Sequence, residues 1–471
     1  MTEQTIQEIA AVVGGTVQGT ARAIPTGVSI DSRTIRGGDL FFAIVGPHHD
    51  GHRFAAEAAS RGAAGLVVSD PGKLGAAFDR AESPRPIIVV EDTLRALQDL
   101  AAFVRRSLGA RVVGITGSGG KTTTKEMTRG VLEAKFQVHA SMGNFNNQYG
   151  CPLALLALRP HHQVAVLELG MSYHGELARL AEIADPDIGI LTNVSGVHLA
   201  HFESVDEVAD AKAELFEGMR EDSIGIFNAD DEHCRRIMNS FKGFAFTFGI
   251  ERDADLTATR YRLQRLEGAC FDVIHAHNGS SRRIPVRMRF AGIHNVYNAL
   301  AAMSAGYMLG IDLETTATRL ADVMPLGRRG RILRLGRSVR VIDDSYNSNP
   351  MAMMYALRLL AESPPADPNG RKVIVFGDML ELGKREVTAH REIGQAIAAS
   401  GADLIVGVGP LAAEALAKIP GRRTHHFGTA SEAAGFLVDR IQPGDLVLVK
   451  GSRGMELEKV VSALTERLGE E

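Results

Sequence analysis

The sequence predicts an α/β protein of three domains: a small N-terminal α/β domain, a central domain with a parallel sheet, and a C-terminal Rossmann-like α/β domain. The chain has 471 residues, and domains of roughly 150 residues are common, so the length predicts three. Short apolar runs alternate with helical patterns, as expected where helices cover both faces of parallel strands. A glycine-rich turn between an apolar run and a helix places a ligand-binding loop in the second domain.

Composition excludes several classes of protein. The 52 basic and 56 acidic residues leave a net charge of −4, which argues against a nucleic-acid-binding protein, although local basic patches remain possible. The three cysteines are far apart and unpaired in spacing, so neither a disulfide framework nor a zinc site is predicted. No signal peptide and no run of about 20 apolar residues is found. We expect a cytoplasmic, monomeric protein that does not insert into membranes.

Apolar runs predict the strands of each domain, and periodic apolar positions predict the helices. In the first domain, residues 1–108, strands are expected at 40–45, 65–68 and 87–90, and helices at 54–61 and 92–108. In the second, residues 109–326, parallel strands are expected at 112–116, 164–167, 188–191 and 224–227, antiparallel strands within 244–290, and a helix at 295–309. In the third, residues 327–471, strands are expected at 339–342, 373–376, 404–408 and 446–449, with a surface loop at 363–370.

The strongest motif is VVGITGSGGKTTT at residues 112–124. In a phosphate-binding loop, glycines let backbone N–H groups converge on phosphate oxygens, a lysine neutralises charge and a threonine hydroxyl binds magnesium. The general pattern G-x-x-x-x-G-K-[ST] fails by one residue, because Ile115 stands where it requires glycine. A turn that binds nothing is the alternative, and the order of strand, turn, Lys-Thr and helix argues against it. The expected phosphate contacts are Thr116, Gly117, Ser118, Gly119, Gly120, Lys121, Thr122 and Thr123.

This variant, T-G-S-x-G-K-T-T, resembles the loop of the Mur ligase family, the ATP-dependent amino-acid and peptide ligases of peptidoglycan precursor synthesis. Further motifs stand in the family's order: GNFNNQYGCP at 143–152, LELGMS at 167–172, TNVSGVHL at 192–199, ADAKAELF at 209–216, GIHNVYNALAA at 292–302, IDDSYNSNP at 342–350 and GDMLELG at 377–383. The resemblance therefore covers nearly the whole chain.

Within the family, GNFNN, DDSYN-x-NP and GDM-x-ELG are similar to the member that adds D-alanyl-D-alanine to UDP-N-acetylmuramoyl-tripeptide. The resemblance implies a UDP-substrate domain, a central P-loop ATPase domain and a third domain that closes on ATP and binds D-alanyl-D-alanine. It also implies an acyl-phosphate intermediate and the product UDP-N-acetylmuramoyl-pentapeptide. The alternatives are another Mur-type or folylpolyglutamate-type amide ligase, or a P-loop regulator or transport ATPase. The last class gives no reason for GNFNN and IDDSYNSNP.

A magnesium site is expected beside the phosphate loop. Glu168 follows the buried run VAVLE at the end of a strand, where ligands of parallel sheets gather, and a carboxylate there can hold magnesium. A helix-capping acid is the alternative. By themselves, His198 would be a surface histidine and Lys212 a solvated helix residue. The resemblance implies that both are magnesium ligands together with Thr122, with Lys212 carbamylated.

The asparagine cluster of GNFNN can donate to phosphate or carboxylate oxygens. The resemblance places Asn144 beside the transferring phosphate, and Asn146 and Asn147 on the UDP-sugar-peptide. Turn chemistry is the alternative. The implied catalytic set is Lys121, Asn144, Glu168, His198, Lys212 and Arg329.

Two further segments are expected to complete the ATP site. His294, Asn295 and Asn298 begin a helix and are consistent with reading the adenine edge, whereas capping alone would explain only Asn295. Arg329, in a hinge between the second and third domains, is expected to reach the phosphate on closure, with Arg328 and Arg331 as competitors. Asp344 resembles the family acid that accepts from the ATP ribose. Beyond it, Tyr346, Asn347 and Asn349 would face the incoming dipeptide.

In the first domain, SIDSR at 29–33 and DGHRF at 50–54 resemble the family's uridine-diphosphate pocket. Ser32 and Arg33 suit the diphosphate or sugar, and Asp31 and Asp50 suit the organisation of the loops. Two polar turns are the alternative reading. The expected UDP-substrate contacts are Ser29, Asp31, Ser32, Arg33, Asp50 and His52, together with Asn146 and Asn147. Whether the tripeptide ends in meso-diaminopimelate or lysine stays open.

Overall fold

Three sheets, each with its own helices, organise the chain in the computed structural model. The structure describes residues 4–46, 49–75, 85–143, 145–197, 199–264, 266–277, 280–421 and 423–471. The predicted three-domain α/β class is confirmed. Among the helices in these ranges, none is long and apolar enough to cross a membrane.

The N-terminal sheet has five strands in the order β1-β5-β4-β3-β2, with only β1 antiparallel to its neighbour. Its strands are β1 Thr16–Gln18, β2 Gly27–Ser29, β3 Asp39–Phe42, β4 Gly65–Val68 and β5 Ile87–Val89. Its helices are α1 Ile6–Val12, α2 Ala55–Ser60 and α3 Thr93–Leu108. The Asp92 side chain caps α3, and Gly109 ends it with a left-handed φ of 65°. Buried Leu97 and Val104 of α3 share one core cluster with the central domain.

The central sheet has nine strands in the order β14-β13-β12-β11-β10-β9-β6-β8-β7. Its strands are β6 Arg111–Thr116, β7 Val138–Ala140, β8 Val164–Glu168, β9 Ile188–Leu191, β10 Ile224–Asn228, β11 Phe244–Gly249, β12 Leu256–Leu263, β13 Ala269–His277 and β14 Ser280–Met288. Its helices are α4 Lys121–Leu132, α5 Gly150–Leu156, α6 Glu176–Ala184, α7 Val205–Glu217, α8 Glu232–Ser240, α9 Ile293–Met308 and α10 Leu313–Asp322.

One prediction for this sheet is wrong at its boundary. The antiparallel part was expected from residue 244, but β11 pairs in parallel with both β10 and β12. Helix α8 connects β10 to β11 and returns the chain to the end of the sheet where β10 begins. Strand β11 therefore runs parallel to β10. Only β12, β13 and β14 form the antiparallel edge.

The C-terminal sheet has six strands in the order β15-β16-β20-β17-β18-β19, and only β15 is antiparallel. Its strands are β15 Arg331–Leu335, β16 Val339–Asp344, β17 Lys372–Gly377, β18 Leu404–Val408, β19 Arg423–Phe427 and β20 Leu446–Lys450. Its helices are α11 Pro350–Glu362, α12 Glu386–Ala399, α13 Ala412–Leu416, α14 Ala430–Val438 and α15 Glu458–Leu468. The loop at 363–370 connects α11 to β17, as expected.

The strand ends determine where a site can form. Thr116 and Glu168 end neighbouring parallel strands of the central sheet, and Asp344 and Lys450 end neighbouring parallel strands of the C-terminal sheet. Ligand sites of parallel sheets lie beyond the carboxyl ends of the strands. These two edges meet at one cavity.

Candidate active site

A cavity of about 320 Å³ lies between the central and C-terminal domains. Its central-domain wall is the glycine-rich loop with Glu168 and the start of α9. Its C-terminal wall is Arg329, Lys450 and the segment 344–349 that follows β16. Residues predicted from motifs about 200 positions apart in the sequence therefore line one space.

Two glycines of the loop have no room for a side chain. Gly117 has a φ of 146°, and a Cβ there would collide with the Thr192 hydroxyl. Gly120 precedes α4 with a left-handed φ of 80°, and a Cβ there would collide with the Asn298 side chain. Glycine is required at both positions because the backbone conformation and the close approach both exclude larger residues.

The segment after β9 holds this loop in place. Thr192 Oγ1 donates to the Gly119 carbonyl at 2.7 Å, and Asn193 Oδ1 accepts from the Gly119 N–H at 2.9 Å. Ser118 Oγ donates to the Ser195 carbonyl at 3.1 Å and accepts from the Ser195 N–H at 2.8 Å. The loop is therefore pre-organised by the protein, which reduces the entropy lost when a phosphate binds.

Lys121 begins α4 and folds back over the loop. Its Nζ donates to the Gly117 carbonyl at 2.7 Å. Burial lowers the pKa of Lys121, the Glu168 carboxylate opposes that effect, and the Arg329 guanidinium lowers the pKa further. An anion in the cavity would favour the charged amine, as a phosphate-binding role requires.

Glu168 is almost fully buried, and both of its oxygens are engaged. Oε2 accepts from Thr122 Oγ1 at 2.7 Å, and Oε1 accepts from Asn146 Nδ2 at 2.8 Å. A hydroxyl and a carboxylate in contact are oxygen donors of the kind that magnesium prefers. The chemistry of the pair therefore fits the expected metal. Asn146 lies beside this pair and lines the phosphate cavity.

Of the remaining predicted metal ligands, the structure describes Lys212. Lys212 lies on α7 and is 2% exposed, so it is not the solvated residue that its helical context alone would suggest. Burial lowers the pKa of Lys212 well below its usual value, and the charge of Lys121 lowers it further. Within the described ranges its amine has no hydrogen bond or ion pair, and no three His, Cys, Asp or Glu side chains form a metal cluster. His198 and Asn144 lie outside the described residues.

The start of α9 adjoins the loop, but its two asparagines bond within the protein. Asn298 Oδ1 accepts from Thr124 Oγ1 at 3.1 Å, and its amide donates to Asn295 at 3.0 Å. Asn295 in turn donates to the Ala291 carbonyl at 2.8 Å. Both side chains are buried, and Asn298 lies against Gly120. The Asn295 amide also lies 3.1 Å from His294 Nε2, and all three residues line the cavity. Burial lowers the pKa of His294 to about 4, which keeps the ring neutral near pH 7.

On the opposite wall, Asp344 Oδ2 accepts from Lys450 Nζ at 2.6 Å. Lys450 is 2% exposed and also donates to the Asn347 carbonyl at 3.0 Å. The same lysine therefore orders the predicted ribose acid and the segment that carries the predicted dipeptide contacts. Tyr346 and Asn347 face the cavity, and Asn349 caps α11 through the Ala352 N–H at 2.8 Å while it also lines the cavity.

The three candidate hinge arginines have different partners in the structure. Arg328 pairs with Glu458 at 2.7 Å, and Arg331 pairs with Glu470 at 2.6 Å. Arg329 lines the cavity, and its guanidinium lies 4.0 Å from the centre of the Tyr346 ring. Among the described residues it has no carboxylate partner, so it is the arginine free to meet an anion there.

The predicted UDP-substrate residues lie in the first domain. Arg33 is 80% exposed and pairs with Asp31 at 2.7 Å. Ser32 is buried and donates to Glu57 at 2.7 Å, and the Ser29 hydroxyl donates to the Asp31 carbonyl. Asn147 lies outside the first domain, in the central domain. Its Oδ1 accepts from the N–H groups of Tyr149 and Gly150 at the start of α5.

His52 has a structural position and not the substrate-facing one that was expected. Its ring is fully buried. Nδ1 contacts Asp50 at 2.6 Å, and Nε2 accepts from the backbone N–H groups of Ser69 and Asp70 at 3.0 and 3.2 Å. Nε2 therefore holds the turn after β4, and Nδ1 is used by Asp50.

Sequence reasoning missed two residues that line the cavity, Lys450 and Asn193, and a buried lysine, Lys125, on the same helix as Lys121. Lys450 had no local signal, because it ends an ordinary apolar strand. Asn193 stands in the TNVS motif, but its bond to the loop depends on tertiary contact. Lys125 is fully buried and donates to the carbonyls of Ser141 and Gly143 at 2.6 and 3.1 Å. Its spacing of four from Lys121, on the same helix face, could have indicated it.

The fold and the cavity define an α/β protein in which a P-loop domain meets a Rossmann-like domain across one cavity. Three family models match the chain: "Mur ligase family, catalytic domain" over residues 25–105, "Mur ligase middle domain" over 115–306, and "Mur ligase, glutamate ligase domain" over 328–453. The chain belongs to the Mur ligase family, which confirms the predicted resemblance.

Full-length relatives include the UDP-N-acetylmuramoyl-tripeptide--D-alanyl-D-alanine ligases of Bacillus subtilis and Escherichia coli, which are 34% and 33% identical, each over 99% of both chains. Among solved structures, MurF from Acinetobacter baumannii has a TM-score of 0.86 at 31% identity, covering 99% of this chain and 100% of that one. MurF from Thermotoga maritima, solved in complex with ADP, has a TM-score of 0.81 at 27% identity, covering 94% and 97%.

Proposed function

We propose that this protein joins D-alanyl-D-alanine to UDP-N-acetylmuramoyl-tripeptide in an ATP-dependent reaction and so forms UDP-N-acetylmuramoyl-pentapeptide. The observation that carries the proposal is the single cavity in which Lys121, Thr122 and Glu168 face the segment with Tyr346 and Asn347. A phosphate site opposed to a polar segment on a second domain suits the transfer of an activated acyl group to an amine. Full-length relatives named for this reaction support the assignment.

The chemistry follows from the poor reactivity of a carboxylate. A carboxylate oxygen of the tripeptide attacks the γ-phosphorus of ATP, the bond to ADP breaks, and an acyl phosphate forms. The amine of the dipeptide then attacks the acyl carbon, phosphate leaves, and the amine nitrogen loses a proton. The protein contributes position and charge, with no covalent enzyme intermediate.

Loop residues 117–123 and Lys121 bind the ATP phosphates in this scheme. Arg329 neutralises the transferring phosphoryl group once the hinge at 326–331 closes, because it is the hinge arginine that lines the cavity without an acidic partner among the described residues. Asp344 accepts from the ribose through the oxygen that Lys450 does not contact. Tyr346, Asn347 and Asn349 meet the dipeptide.

Thr122 and Glu168 would hold magnesium, because they are paired oxygen donors next to the phosphate loop. Lys212, whose buried amine is free of partners among the described residues, would join them after reacting with carbon dioxide to form a carbamate and a proton. When bound, magnesium supplies Lewis acidity and offsets repulsion between the anionic acceptor and ATP. His198 is assigned to the same site by resemblance alone.

We assign substrate capture to residues 1–108, ATP binding to 109–326, and amine binding with closure to 327–471. In the first part, Ser32 and Arg33 are assigned to the UDP-linked substrate, and Asp31 and Asp50 order their loops. The protein acts in the cytoplasm as a monomer.

The deciding experiment measures ADP and phosphate release with ATP, UDP-N-acetylmuramoyl-tripeptide and D-alanyl-D-alanine, and with each omitted in turn. Release that requires both acceptors, with a product of pentapeptide mass, supports the proposal. ATP hydrolysis indifferent to either acceptor contradicts it. Lys121→Gln should abolish release, whereas Lys242→Gln, at an exposed lysine remote from the cavity, should not. Tripeptides ending in meso-diaminopimelate or lysine identify the third residue.

A further inference from the structure

A second cavity, separate from the ATP site, opens between the central and C-terminal domains on the side of the antiparallel edge. It encloses about 640 Å³. Its central-domain wall includes Arg287 and Arg289 near the end of β14, and its other wall includes Arg331, Arg334 and Arg340 on β15 and β16. Five guanidinium groups around one space are notable in a protein whose net charge is −4.

The carboxylates nearby neutralise only two of these five arginines. Glu267, which lines the cavity, pairs with Arg334 at 2.6 Å, and Glu470 pairs with Arg331 at 2.6 Å. Asp322, the other acid of the lining, lies 3.7 Å from Arg319 outside the cavity. Each acid therefore already has a basic partner.

Three guanidinium groups are left without an acid. Arg287 and Arg340 have no side-chain hydrogen bond or ion pair to any residue that the structure describes. Within the described part of the chain, the Arg289 side chain donates only to the Ala321 carbonyl, at 3.2 Å. Since guanidinium presents donors in a fixed fork that matches phosphate oxygens, this arrangement offers several unused pairs of donors to an anion.

The two strands of the C-terminal wall oppose like charges. Arg334 and Arg340 are direct partners in the antiparallel register of β15 and β16. Like charges directly opposite one another destabilise a sheet. Glu267 offsets the charge of Arg334, and an anion bound beside Arg340 would offset the charge that remains.

The floor of the cavity is apolar and limits what fits. Buried Leu266 and Met288 line it, with Ile332 and Met324. A concave space with a basic rim and an apolar floor suits a small molecule and not an extended polyanion or a flat lipid surface. Phosphate groups are the anions that guanidinium forks bind best in such a setting.

We propose that this cavity binds a small phosphorylated anion that bridges Arg287 and Arg289 of the central domain to Arg340 of the C-terminal domain. The occupant would link the two domains at a point distinct from the ATP site. The shared chemistry is the phosphate oxyanion, whether it comes as a free phosphate or as the diphosphate of a larger molecule.

The test titrates inorganic pyrophosphate into the full chain by calorimetry, in magnesium-free buffer of low ionic strength. Lys121→Ala removes a contact to phosphate in the ATP site, and the double variant Arg287→Gln, Arg340→Gln removes two proposed contacts in the second cavity. Pyrophosphate binding should survive Lys121→Ala and weaken by about tenfold or more in the double variant, because each arginine contributes charged hydrogen bonds. Arg283→Gln, at an exposed arginine of β14 outside the cavity, should bind like the wild type.

A thermal melt of the same proteins shows whether each variant is folded. Without pyrophosphate the double variant should melt at or slightly above the wild-type midpoint, because it loses a repulsion and no partner. With pyrophosphate the wild type and Arg283→Gln should gain more stability than the double variant, which keeps only the ATP site. Equal binding by the double variant and Arg283→Gln, or no binding that survives Lys121→Ala, overturns the proposal. A parallel titration with inorganic phosphate separates the sources, since a diphosphate ligand predicts tighter binding of pyrophosphate.

Discussion

Thr122 Oγ1 donates to Glu168 Oε2 across 2.7 Å, which joins the first turn of the helix after the phosphate loop to the end of the adjacent strand. Both side chains are buried. The bond aligns two oxygen donors at the place where the phosphates of ATP are expected. It also satisfies a carboxylate that would otherwise be buried with one oxygen unpaired.

Substitution of Thr122 separates this role from simple packing. Thr122→Val keeps the shape but removes the hydroxyl, and we expect ligation to fall by about 10- to 100-fold, since a hydrogen bond to a charged group is lost in a buried site. Thr122→Ser keeps the hydroxyl and should retain most activity. Phosphate release under saturating substrates measures both. Equal activity of the two variants would contradict the role of the hydroxyl.

The loop conformation gives a second prediction. Gly117→Ala should lower the free energy of unfolding by about 1–3 kcal/mol and weaken nucleotide binding, because φ is 146° and the Cβ meets Thr192. Gly435→Ala is the matched control. It lies within α14 with nothing near its Cβ, so it should raise stability by about 0.5–1 kcal/mol. Urea denaturation and ADP titration test both, and equal effects would exclude the steric argument.

The phosphate loop and Glu168 could be predicted because their signals are local: a strand, a turn and a helix in order, and an acid at a strand end. Lys450 could not, since it meets Asp344 from 106 positions away. The buried state of Lys212 was equally hidden, because a helical pattern with neighbouring glutamates reads as solvated. The expected substrate contact of His52 was wrong, because a polar turn motif does not reveal that its histidine ring is buried.

The interaction of Lys450 with Asp344 is expected to be strongly coupled. Lys450→Met should destabilise the protein by about 3 kcal/mol, because it leaves a partly buried carboxylate without its cation. In a double-mutant cycle with Asp344→Asn, the coupling should be about 1–3 kcal/mol. The exposed pair Arg334 and Glu267 is the control and should show less than about 1 kcal/mol. Additive effects for the buried pair would contradict this account.

His294 should make stability depend on pH. Burial lowers its pKa from 6.5 to about 4 in the folded state, where Asp344 and Lys450 are the charges that act on it. Between these values the unfolded chain binds the proton more tightly, so stability is full above pH 6.5 and is lost as pH falls towards 4. From pH 8 to pH 5 this contribution amounts to about 2 kcal/mol.

The comparison of wild type with His294→Gln isolates that effect. His162, whose pKa burial also lowers to about 4, titrates in both proteins and cancels in the difference. Urea denaturation at pH 5 and pH 8 should therefore show a smaller loss in His294→Gln. The same loss in both proteins would mean that the ring is protonated in the folded state at pH 5.

Lys212 gives the sharpest test of the metal site, because the residue is 2% exposed and its amine has no partner within the described ranges. The low pKa of Lys212 supplies the neutral amine that carbon dioxide requires. Lys212→Ala should reduce ligation by about 100-fold or more, since an anion that would bind magnesium is lost. Short carboxylic acids should restore part of the activity by occupying the space of the carbamate, and ¹³C-bicarbonate should give a carbamate NMR signal that this variant lacks. Lys242→Ala should keep both the activity and the signal. If acids rescue nothing and the signal persists in Lys212→Ala, Lys212 serves the site as an amine or only through packing.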